Sequence, residues 1–585
     1  MRRSTAIGLA ALLSAAATAA SAQTIYPVDR AEILAGTKFD VKVEFPGSPA
    51  ATAVRVTVDG KDLNGADVNG ADLASVLGKE SSFVEREDGE EHSAYWIRDG
   101  VLTKPGNYIV EATAGGKTAR VSWDVYDTVG GGKAKNVILF IGDGMSIAHR
   151  TAARVLSKGL VAGRYGGELA IDDMPHMALV STSGTDSIVT DSANSASAYT
   201  TGHKTCVNAM GIYCARNKDI LQHPRVETIA ELVKRRRGMA VGVVTNTEIE
   251  DATPAAMVAH TRLRADYNNI VRMFFDVKPD VIMGGGTPNF LPKSAPGSKR
   301  TDEDDYTRKF EAAGYTLVAT KTELEAAAGK ATRLLGLFNT GNIDGALDRF
   351  FLKRGSVGKF PDQPDLTDQV RAALDILSRK DTGFVLMVES GRIDKYSHSL
   401  DWERAVYDTI MLDNAVKVAK DFAAPRSDTL IVVVADHAHA VSIVGTYDDQ
   451  RSGPIRSRLG TYAQSVFPNY PPANKDGYPD TVDVSRRLAF VFGTYPDYCD
   501  GGRPYLDGEN VPAVPGPEKD TYVANEQYCT PGAVRRSGNV PFGINTGVHA
   551  ADDVVLTATG PGAELFRGRI DNTRVFRIMA TALGL

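Results

Sequence analysis

The chain contains 585 residues, of which 43% are hydrophobic and 24% are charged, with 56 glycines and 27 prolines. These values are ordinary for globular proteins and exclude a disordered, collagen-like or coiled-coil chain. The formal net charge is −6, and no long run of Lys or Arg offsets it, which argues against nucleic acid as a ligand. At about 150 residues per domain the length suits several domains or a large α/β enzyme.

The first 22 residues have the pattern of a secretory leader. Arg2 and Arg3 precede a mostly apolar stretch over residues 6–20, and Ala20-Ser21-Ala22 suits a signal peptidase. The stretch is too short to serve as a mature membrane anchor, and no later segment has the continuous apolar length of a membrane span. We therefore predict a signal peptide cleaved after Ala22, a secreted or periplasmic protein, and no membrane span.

The four cysteines predict disulfide bonds, because an exported chain meets an oxidising environment. Cys206 and Cys214 enclose a short loop. Cys499 and Cys529 enclose a stretch rich in Pro and Gly. We expect these two local pairings among the three possible connectivities. A zinc site formed by all four cysteines is the alternative, but the paired C-x-x-C spacing typical of such sites is absent.

Residues 23–127 have the pattern of a small all-β domain. Phe39, Val41, Val43 and Phe45 alternate with other residues, and Gly115-Gly116 marks a hairpin farther along. Short alternating strands over this length predict an immunoglobulin-like sandwich. No candidate site stands out in it, so we interpret it as a spacer or packing module rather than a binding domain.

A glycine-rich linker at residues 128–135 separates this module from a region of different pattern, residues 136–585. Continuous apolar runs at residues 137–141, 239–244, 384–388, 430–434 and 554–557 alternate with segments of helical periodicity. This alternation predicts a doubly wound, mostly parallel sheet of the α/β class with helices on both faces. A basic cluster at residues 234–237 closes one predicted helix, where it is expected to complement the helix dipole. Residues 447–546, rich in Pro, Gly, Tyr and Asp, form a predicted insertion.

Acidic and histidine residues follow several of these apolar runs. Asp143 follows the first, Glu389 follows the run at 384–388, and Asp436 and His437 follow the run at 430–434. Ligands bind at the carboxyl ends of strands in such folds, so these side chains are expected to meet there.

Asp394 and His398 lie four residues apart, on one face of a helical turn, and their oxygen and nitrogen atoms suit zinc. The alternatives are turn caps for the strand-end carboxylates and a solvated ion pair for Asp394 and His398.

Ser192 begins a run of small residues with the sequence SANSASA. A hydroxyl at a helix N-terminus meets unpaired N–H groups and positive potential, which favours a serine that attacks or carries an anionic group. The alternative is an ordinary N-cap. No G-x-S-x-G sequence surrounds this serine, which argues against an ordinary serine hydrolase.

Several long segments together resemble the alkaline phosphatase family. They occur in the family's order and read NVILFIGDGMS, VTDSANSASAYTTGHKT, DATPAAMVAHTRLR, VESGRIDKYSHS, VVVADHAHA and NTGVHAADDV. The resemblance spans residues 136–585 and implies the family's α/β fold. The N-terminal β module is not part of the usual pattern. The 447–546 insertion is similar to the crown region of the animal enzymes.

The resemblance also implies roles for individual residues, with two zinc ions and one magnesium ion as cofactors. Ser192 matches the nucleophile that becomes phosphorylated. The matching ligands are Asp394, His398 and His549 for one zinc, Asp143, Asp436 and His437 for the second, and Asp143, Thr253 and Glu389 for magnesium. His439 matches a histidine that steadies a zinc-binding carboxylate.

Arg264 matches the arginine that binds the substrate phosphate, with Arg262 as a rival two residues earlier. Asp251 and Lys395 match positions that carry Asp and Lys in bacterial members and His in animal members. The resemblance implies bacterial-type tuning of the magnesium and phosphate sites.

These observations predict a secreted phosphomonoesterase that acts on small phosphate monoesters, and the resemblance implies a homodimer. A phosphodiesterase or sulfatase of the same superfamily is the first alternative. Glu389 and Thr253, together with Arg264, argue against it because they suit a doubly charged monoester. A sulfatase also needs a C/S-x-P-x-R context, which Ser192 lacks. The second alternative, a non-enzymatic adhesion or phosphate-binding protein, would not require Ser192 and all the metal ligands together.

Overall fold

A computed structural model describes residues 23–63, 77, 81–493 and 496–585. The predicted signal peptide lies outside these residues. Among the residues described, no helix is both long enough and apolar enough to cross a membrane. The chain divides into two compact units: the first comprises the residues up to Arg30 together with Asp40–Gly100 and Asn107–Trp123, and the second comprises Ala31–Phe39, Val101–Gly106 and Asp124–Leu585.

The first unit is built from small antiparallel sheets. Thr24–Tyr26 pairs with the strand Lys38–Pro46, and Ser81–Val84 pairs with His92–Val101. Val54–Val58 pairs with both Lys61–Asp62 and Gly106–Ala114, next to the strand Lys117–Tyr126. The all-β character agrees with the sequence, whereas an immunoglobulin-like arrangement of these strands stays a prediction.

A mixed sheet of ten strands, counted over the described residues, forms the centre of the second unit. In chain order the strands are β1 (Asn136–Gly142), β2 (His176–Ser181), β3 (Ala240–Glu248), β4 (Val281–Gly285), β5 (Thr316–Val318), β6 (Leu334–Leu337), β7 (Phe384–Ser390), β8 (Thr429–Val434), β9 (Val554–Thr559) and β10 (Gly568–Asp571). Their order across the sheet is β5-β6-β4-β3-β7-β1-β8-β9-β2-β10. Only β9 among these strands runs antiparallel to its neighbours, so the predicted α/β class with a mostly parallel sheet is confirmed.

The central strands are buried along their whole length, which explains their continuous apolar sequences. Every residue of β1, β7 and β8 is buried. Because helices cover both faces of the sheet, no position of these strands needs a polar side chain toward solvent. The charged residues Asp143, Glu389 and Asp436 lie at or just beyond the ends of these strands.

The helices of the second unit begin and end as follows: α1 Ile147–Lys158, α2 Ser192–Thr201, α3 Ile229–Arg237, α4 Ala252–Ala255, α5 Tyr267–Val277, α6 Tyr306–Ala312, α7 Lys321–Ala328, α8 Leu366–Leu377, α9 Arg392–His398, α10 Trp402–Ala423, α11 Ile455–Arg458 and α12 Thr573–Leu583. Side chains cap several of them. At the start of α3, Thr228 and Glu231 form a reciprocal capping box, and Gly238 ends the helix in the left-handed conformation.

The basic cluster at the end of α3 does more than complement the helix dipole. Lys234 donates to the Lys278 carbonyl at 2.8 Å, and Arg237 donates to the carbonyls of Leu583 and Gly584. These contacts satisfy backbone oxygens of distant segments. The C-terminal residues Leu583 and Gly584 are thereby hydrogen-bonded to the end of α3.

Residues 441–536 contribute short antiparallel sheets beside the main sheet. Val441–Asp448 pairs with Leu459–Gly460 and Arg486–Phe492, Tyr498–Asp500 pairs with Val534–Arg536, and Ala513–Pro515 pairs with Tyr522–Ala524. The expected disulfides Cys206–Cys214 and Cys499–Cys529 are both present, so the predicted pairings are confirmed and the alternative four-cysteine zinc site is wrong.

Candidate active site

Three neighbouring parallel strands deliver acidic residues to one edge of the sheet. Asp143 follows β1, Asp436 follows β8, and Glu389 lies near the end of β7 opposite Ile141. The Asp436 carboxylate accepts a hydrogen bond from the Gly144 N–H at 3.0 Å, which joins the ends of β1 and β8. The carboxylates predicted to meet at this edge do meet there.

Asp394 is buried and lies at the centre of a cluster of histidines. Its Oδ1 atom is 2.6 Å from Nε2 of His439, 3.3 Å from Nε2 of His398 and 3.5 Å from Nε2 of His549. The Nε2 atoms of His398 and His549 are 3.2 Å apart. Asp394 and His398 come from the same turn of α9 at the predicted four-residue spacing.

The tautomers of two of these histidines follow from their outer hydrogen bonds. His398 Nδ1 lies 2.6 Å from the Gly547 carbonyl oxygen, and His549 Nδ1 lies 2.7 Å from the Thr190 carbonyl oxygen. Because a carbonyl only accepts, both Nδ1 atoms carry the proton and donate. In the neutral rings, both Nε2 atoms then present lone pairs to the same point beside a carboxylate, which is the donor arrangement that a cation requires.

A second buried group lies beside the first and consists of Asp143, Asp436 and His437. His437 Nε2 is 3.2 Å from Asp143 Oδ1 and 3.6 Å from Asp436 Oδ2. Asp436 Oδ2 is buried and has no hydrogen-bond partner in the described part of the chain. Unsatisfied buried acceptors are costly, and nitrogen with oxygen ligands suits zinc, so the residues present fit a bound metal ion.

Ser192 is the first residue of α2 and is 2% exposed. Its Oγ is 3.3 Å from His437 Nε2 and 3.4 Å from Asp143 Oδ1. The N-cap of α2 is Asp191, whose side chain accepts from the Asn194 N–H at 3.2 Å. The alternative that Ser192 is an ordinary N-cap is therefore wrong, and its hydroxyl faces the second group instead.

Arg264 lies at the same corner as Ser192. Its Nη1 is 3.2 Å from Asp191 Oδ2, and its Nη2 is 2.9 Å from Asp251 Oδ1. Arg262, the rival considered from the sequence, donates to a backbone carbonyl in another loop at 3.0 Å. The structure thus brings Arg264, and not Arg262, next to the residue that precedes Ser192.

Lys395 reaches the opposite oxygen of Asp251, with Nζ 2.8 Å from Oδ2. Burial alone would raise the pKa of Asp251, but the charges of Lys395 and Arg264 outweigh it and hold that pKa well below its ordinary value. Burial would likewise lower the pKa of Lys395, but Asp251 keeps it above its ordinary value. This corner therefore carries two permanent positive charges around one carboxylate.

The residues expected to bind magnesium offer only oxygen atoms. Thr253 Oγ1 lies 3.5 Å from Asp143 Oδ2. Glu389 Oε2 accepts hydrogen bonds from the hydroxyls of Thr245 and Thr247, the second at 2.9 Å. Sequence reasoning missed these two threonines, although their alternate positions on β3 place both on one face of the strand. Both threonine hydroxyls bind Oε2, so Oε1 of Glu389 is the oxygen that these two residues do not contact.

The buried carboxylates of the site repel one another. Burial and, to a smaller extent, the nearby charge of Asp394 together raise the pKa of Asp143 to about 7. Burial raises the pKa of Glu389 to about 8, with the charge of Asp143 acting in the same direction. Asp394 is the exception. Burial would raise its pKa, but the neighbouring His398 and the hydrogen bonds that the Asp394 carboxylate accepts hold this pKa well below its ordinary value. A group of buried acids with raised pKa values is what bound cations would stabilise in the ionised form.

Comparisons with known proteins identify the family of the chain. Residues 134–585 match the model of the alkaline phosphatase family. The chain is 31% identical over 489 residues to the tissue-nonspecific isozyme of alkaline phosphatase from Gallus gallus, covering 77% of this chain and 84% of that protein. It is 33% identical over 407 residues to the alkaline phosphatase of Escherichia coli K12, covering 63% of this chain and 82% of that protein.

A solved structure shows the same fold. The crystal structure of the Thermus thermophilus alkaline phosphatase matches with a TM-score of 0.56 and 25% identity, over 78% of this chain and 93% of that one. The resemblance stated from the sequence is confirmed. The chain belongs to the alkaline phosphatase family of phosphate-ester hydrolases.

Proposed function

We propose that this protein is a secreted or periplasmic phosphomonoesterase that transfers the phosphoryl group of small phosphate monoesters to Ser192 and then to water. The observation that carries the proposal is the position of the Ser192 hydroxyl, 3.3 Å from His437 and 3.4 Å from Asp143, beside the corner that holds Arg264. A nucleophile, an anion-binding cation and buried metal-binding groups thus lie together in one site.

The residues that would hold two zinc ions and one magnesium ion are those with the fitting donor atoms. They are Asp394, His398 and His549 for one zinc, Asp143, Asp436 and His437 for the other, and Asp143, Thr253 and Glu389 for magnesium. When bound, zinc lowers the pKa of a neighbouring hydroxyl or water and stabilises negative charge on the attacking and leaving oxygens. His439, whose Nε2 is 2.6 Å from Asp394 Oδ1, orients that carboxylate.

The reaction divides into two displacements at phosphorus. The Ser192 hydroxyl gives its proton to solvent, its Oγ forms a bond to phosphorus, and the bond between phosphorus and the leaving alcohol oxygen breaks. The leaving oxygen then takes a proton from water. In the second displacement a water molecule attacks the phosphoserine, loses a proton and releases inorganic phosphate, which restores the Ser192 hydroxyl.

Arg264 supplies the geometry that holds the phosphoryl group during both displacements. Asp191 and Asp251 fix the guanidinium from two directions, so its remaining N–H groups present a preformed fork. A planar fork binds two non-bridging oxygens at once, which a point charge such as Lys cannot do. Arg264 and Lys395 together favour the doubly charged monoester over a diester.

The wider organisation is part of the same proposal. The secreted enzyme would consist of four segments. They are a signal peptide at residues 1–22, a β module at 23–127, a linker at 128–135, and a phosphatase domain at 136–585 that contains an insertion at 447–546. The two disulfides support export into an oxidising compartment. The family resemblance supports a homodimer.

The test is hydrolysis of p-nitrophenyl phosphate and of bis-p-nitrophenyl phosphate at alkaline pH. Each substrate is assayed with the purified protein, after chelation, and after zinc and magnesium are restored. We expect monoester turnover that disappears with chelation and returns with both metals. A preference for the diester would favour the phosphodiesterase alternative, and no turnover of either substrate would contradict the proposal.

A further inference from the structure

We propose that the disulfide-closed loop of residues 206–214 positions the phosphate-binding corner, and that the backbone of Asn208 sets the spacing between Asp191 and Arg264. The inference rests on the proposed function, because it assigns phosphate binding to Arg264. Nothing in the spacing of the catalytic motifs points to this loop. It is identified by its hydrogen bonds.

The two peptide groups of Asn208 bond to both partners at the corner. Its N–H donates to the two carboxylate oxygens of Asp191, each at 3.2 Å. Its carbonyl accepts from the backbone N–H of Arg264 at 2.8 Å. Because Arg264 also forms an ion pair with Asp191 at 3.2 Å, the three residues make a closed set of contacts. A shift of Asn208 would therefore move the carboxylate and the arginine relative to each other.

The rest of the loop is fixed between the helix that carries Ser192 and the segment that carries Arg264. Met210 exchanges two backbone hydrogen bonds with Thr261, at 2.9 and 3.0 Å. The Gly211 N–H donates to Ser197 Oγ in α2 at 2.9 Å. The loop therefore contacts both elements of the proposed site, yet none of its residues belongs to the metal-binding groups.

The conformation of Asn208 depends on its residue type. Its φ is +69°, in the left-handed region that Gly and Asn adopt readily and β-branched residues do not. Its side chain is exposed, so a substitution there acts through the backbone rather than through lost packing. Cys206 is 2% exposed and packs with Ala209 and Ile212, so the disulfide holds the loop against a small buried cluster.

These contacts predict a specific kinetic effect. We expect a disturbed loop to misalign Arg264 relative to Asp191, while the metal-binding residues, which belong to other segments, stay in place. Binding of phosphate and of the phosphomonoester should weaken, while the chemical steps at Ser192 proceed. A merely structural role for the loop would instead reduce the amount of folded enzyme and leave KM unchanged.

The experiment compares Asn208→Val with Asn208→Gly in the metal-loaded full-length enzyme. We measure KM and kcat with p-nitrophenyl phosphate, and binding of inorganic phosphate by calorimetry, which needs no turnover. Asn208→Val is expected to raise KM and the phosphate Kd about tenfold, because a β-branched residue disfavours the left-handed backbone conformation of this position. kcat should fall by less than about twofold. Asn208→Gly should keep wild-type values.

A second pair of variants tests the disulfide. The Cys206→Ala, Cys214→Ala double variant should raise the phosphate Kd, whereas the matched Cys499→Ala, Cys529→Ala double variant should not. Thermal unfolding of each variant shows whether it is folded. Unchanged phosphate binding in folded Asn208→Val, or equal effects of Val and Gly, would overturn the inference. Absence of monoester turnover in the wild-type enzyme would instead count against the proposed function.

Discussion

His398 and His549, which are 151 positions apart in the chain, direct their Nε2 atoms at each other across 3.2 Å. Each ring donates its Nδ1 proton to a backbone carbonyl, which leaves both Nε2 atoms as acceptors in the neutral rings. Two lone pairs and the Asp394 carboxylate therefore converge on one point. The arrangement is stable only with a cation or an added proton between the rings.

The first prediction concerns metal content. His549→Ala should remove one zinc equivalent and lower monoester turnover by about 100-fold or more, because the ion loses one of its few ligands. Metal analysis after dialysis, together with the assay, measures both effects. His176→Ala, at the opposite end of a strand in the same sheet, is the matched control and should keep full metal content. Equal zinc in both variants would contradict the ligand assignment.

The second prediction concerns the nucleophile. Ser192→Ala should abolish phosphoenzyme formation and lower turnover by about 10³-fold or more, since the covalent step is lost. Labelling with radioactive phosphate followed by acid quench measures the phosphoenzyme. Zinc content should stay at the wild-type level, because each zinc ion keeps its three proposed ligands in the variant. Normal labelling of the variant would show that another residue carries the phosphate.

Much of the central fold was predictable because its strands show in the hydrophobic pattern of short sequence segments. The strands β1, β7 and β8 are buried on both faces, so their sequences are continuously apolar and their ends are clear. In a parallel sheet these ends share one edge, so Asp143 and Asp436 could be expected to meet. The four-residue spacing of Asp394 and His398 predicted their contact in the same way.

The remaining features depend on contacts between distant segments, which local patterns do not report. His549 joins the cluster through a carbonyl contributed by residue 190, and the choice of Arg264 over Arg262 depends on which loop each side chain faces. Alternating strands in the first unit predicted β structure, but alternation does not determine which strands pair. For His549 and Arg264 the family resemblance supplied what periodicity could not.

The third prediction concerns the two threonines that hold Glu389. The double variant Thr245→Val, Thr247→Val keeps the side-chain shape but removes both donors to Glu389 Oε2. We expect the magnesium concentration for half-maximal activity to rise about 10–100-fold, with zinc content unchanged. Thr409→Val, which removes a buried hydroxyl bonded within α10, is the matched control. An unchanged magnesium requirement would show that these hydroxyls do not orient the carboxylate.

The fourth prediction concerns the pH dependence of stability through His260, which lies between Thr253 and Arg264. His260 Nδ1 donates to the Gly211 carbonyl at 2.8 Å, and Nε2 lies 3.1 Å from both oxygens of Glu231. Burial would lower the pKa of His260, as would the nearby Arg225, but Glu231 outweighs them and raises that pKa above its ordinary value.

Because the folded state holds the His260 proton more tightly than the unfolded chain, this pair stabilises the protein fully below the ordinary histidine pKa. That stabilisation is lost as the pH rises through the folded pKa. The pKa of Glu231 is lowered to about 2, against the effect of burial, so its carboxylate stays ionised throughout this range. His260→Gln should therefore destabilise the protein by about 1–3 kcal/mol at pH 6 and by less at pH 9. Urea unfolding of the wild type and the variant at both pH values measures the difference. A destabilisation that is the same at pH 6 and pH 9 would show that the imidazolium does not carry the effect.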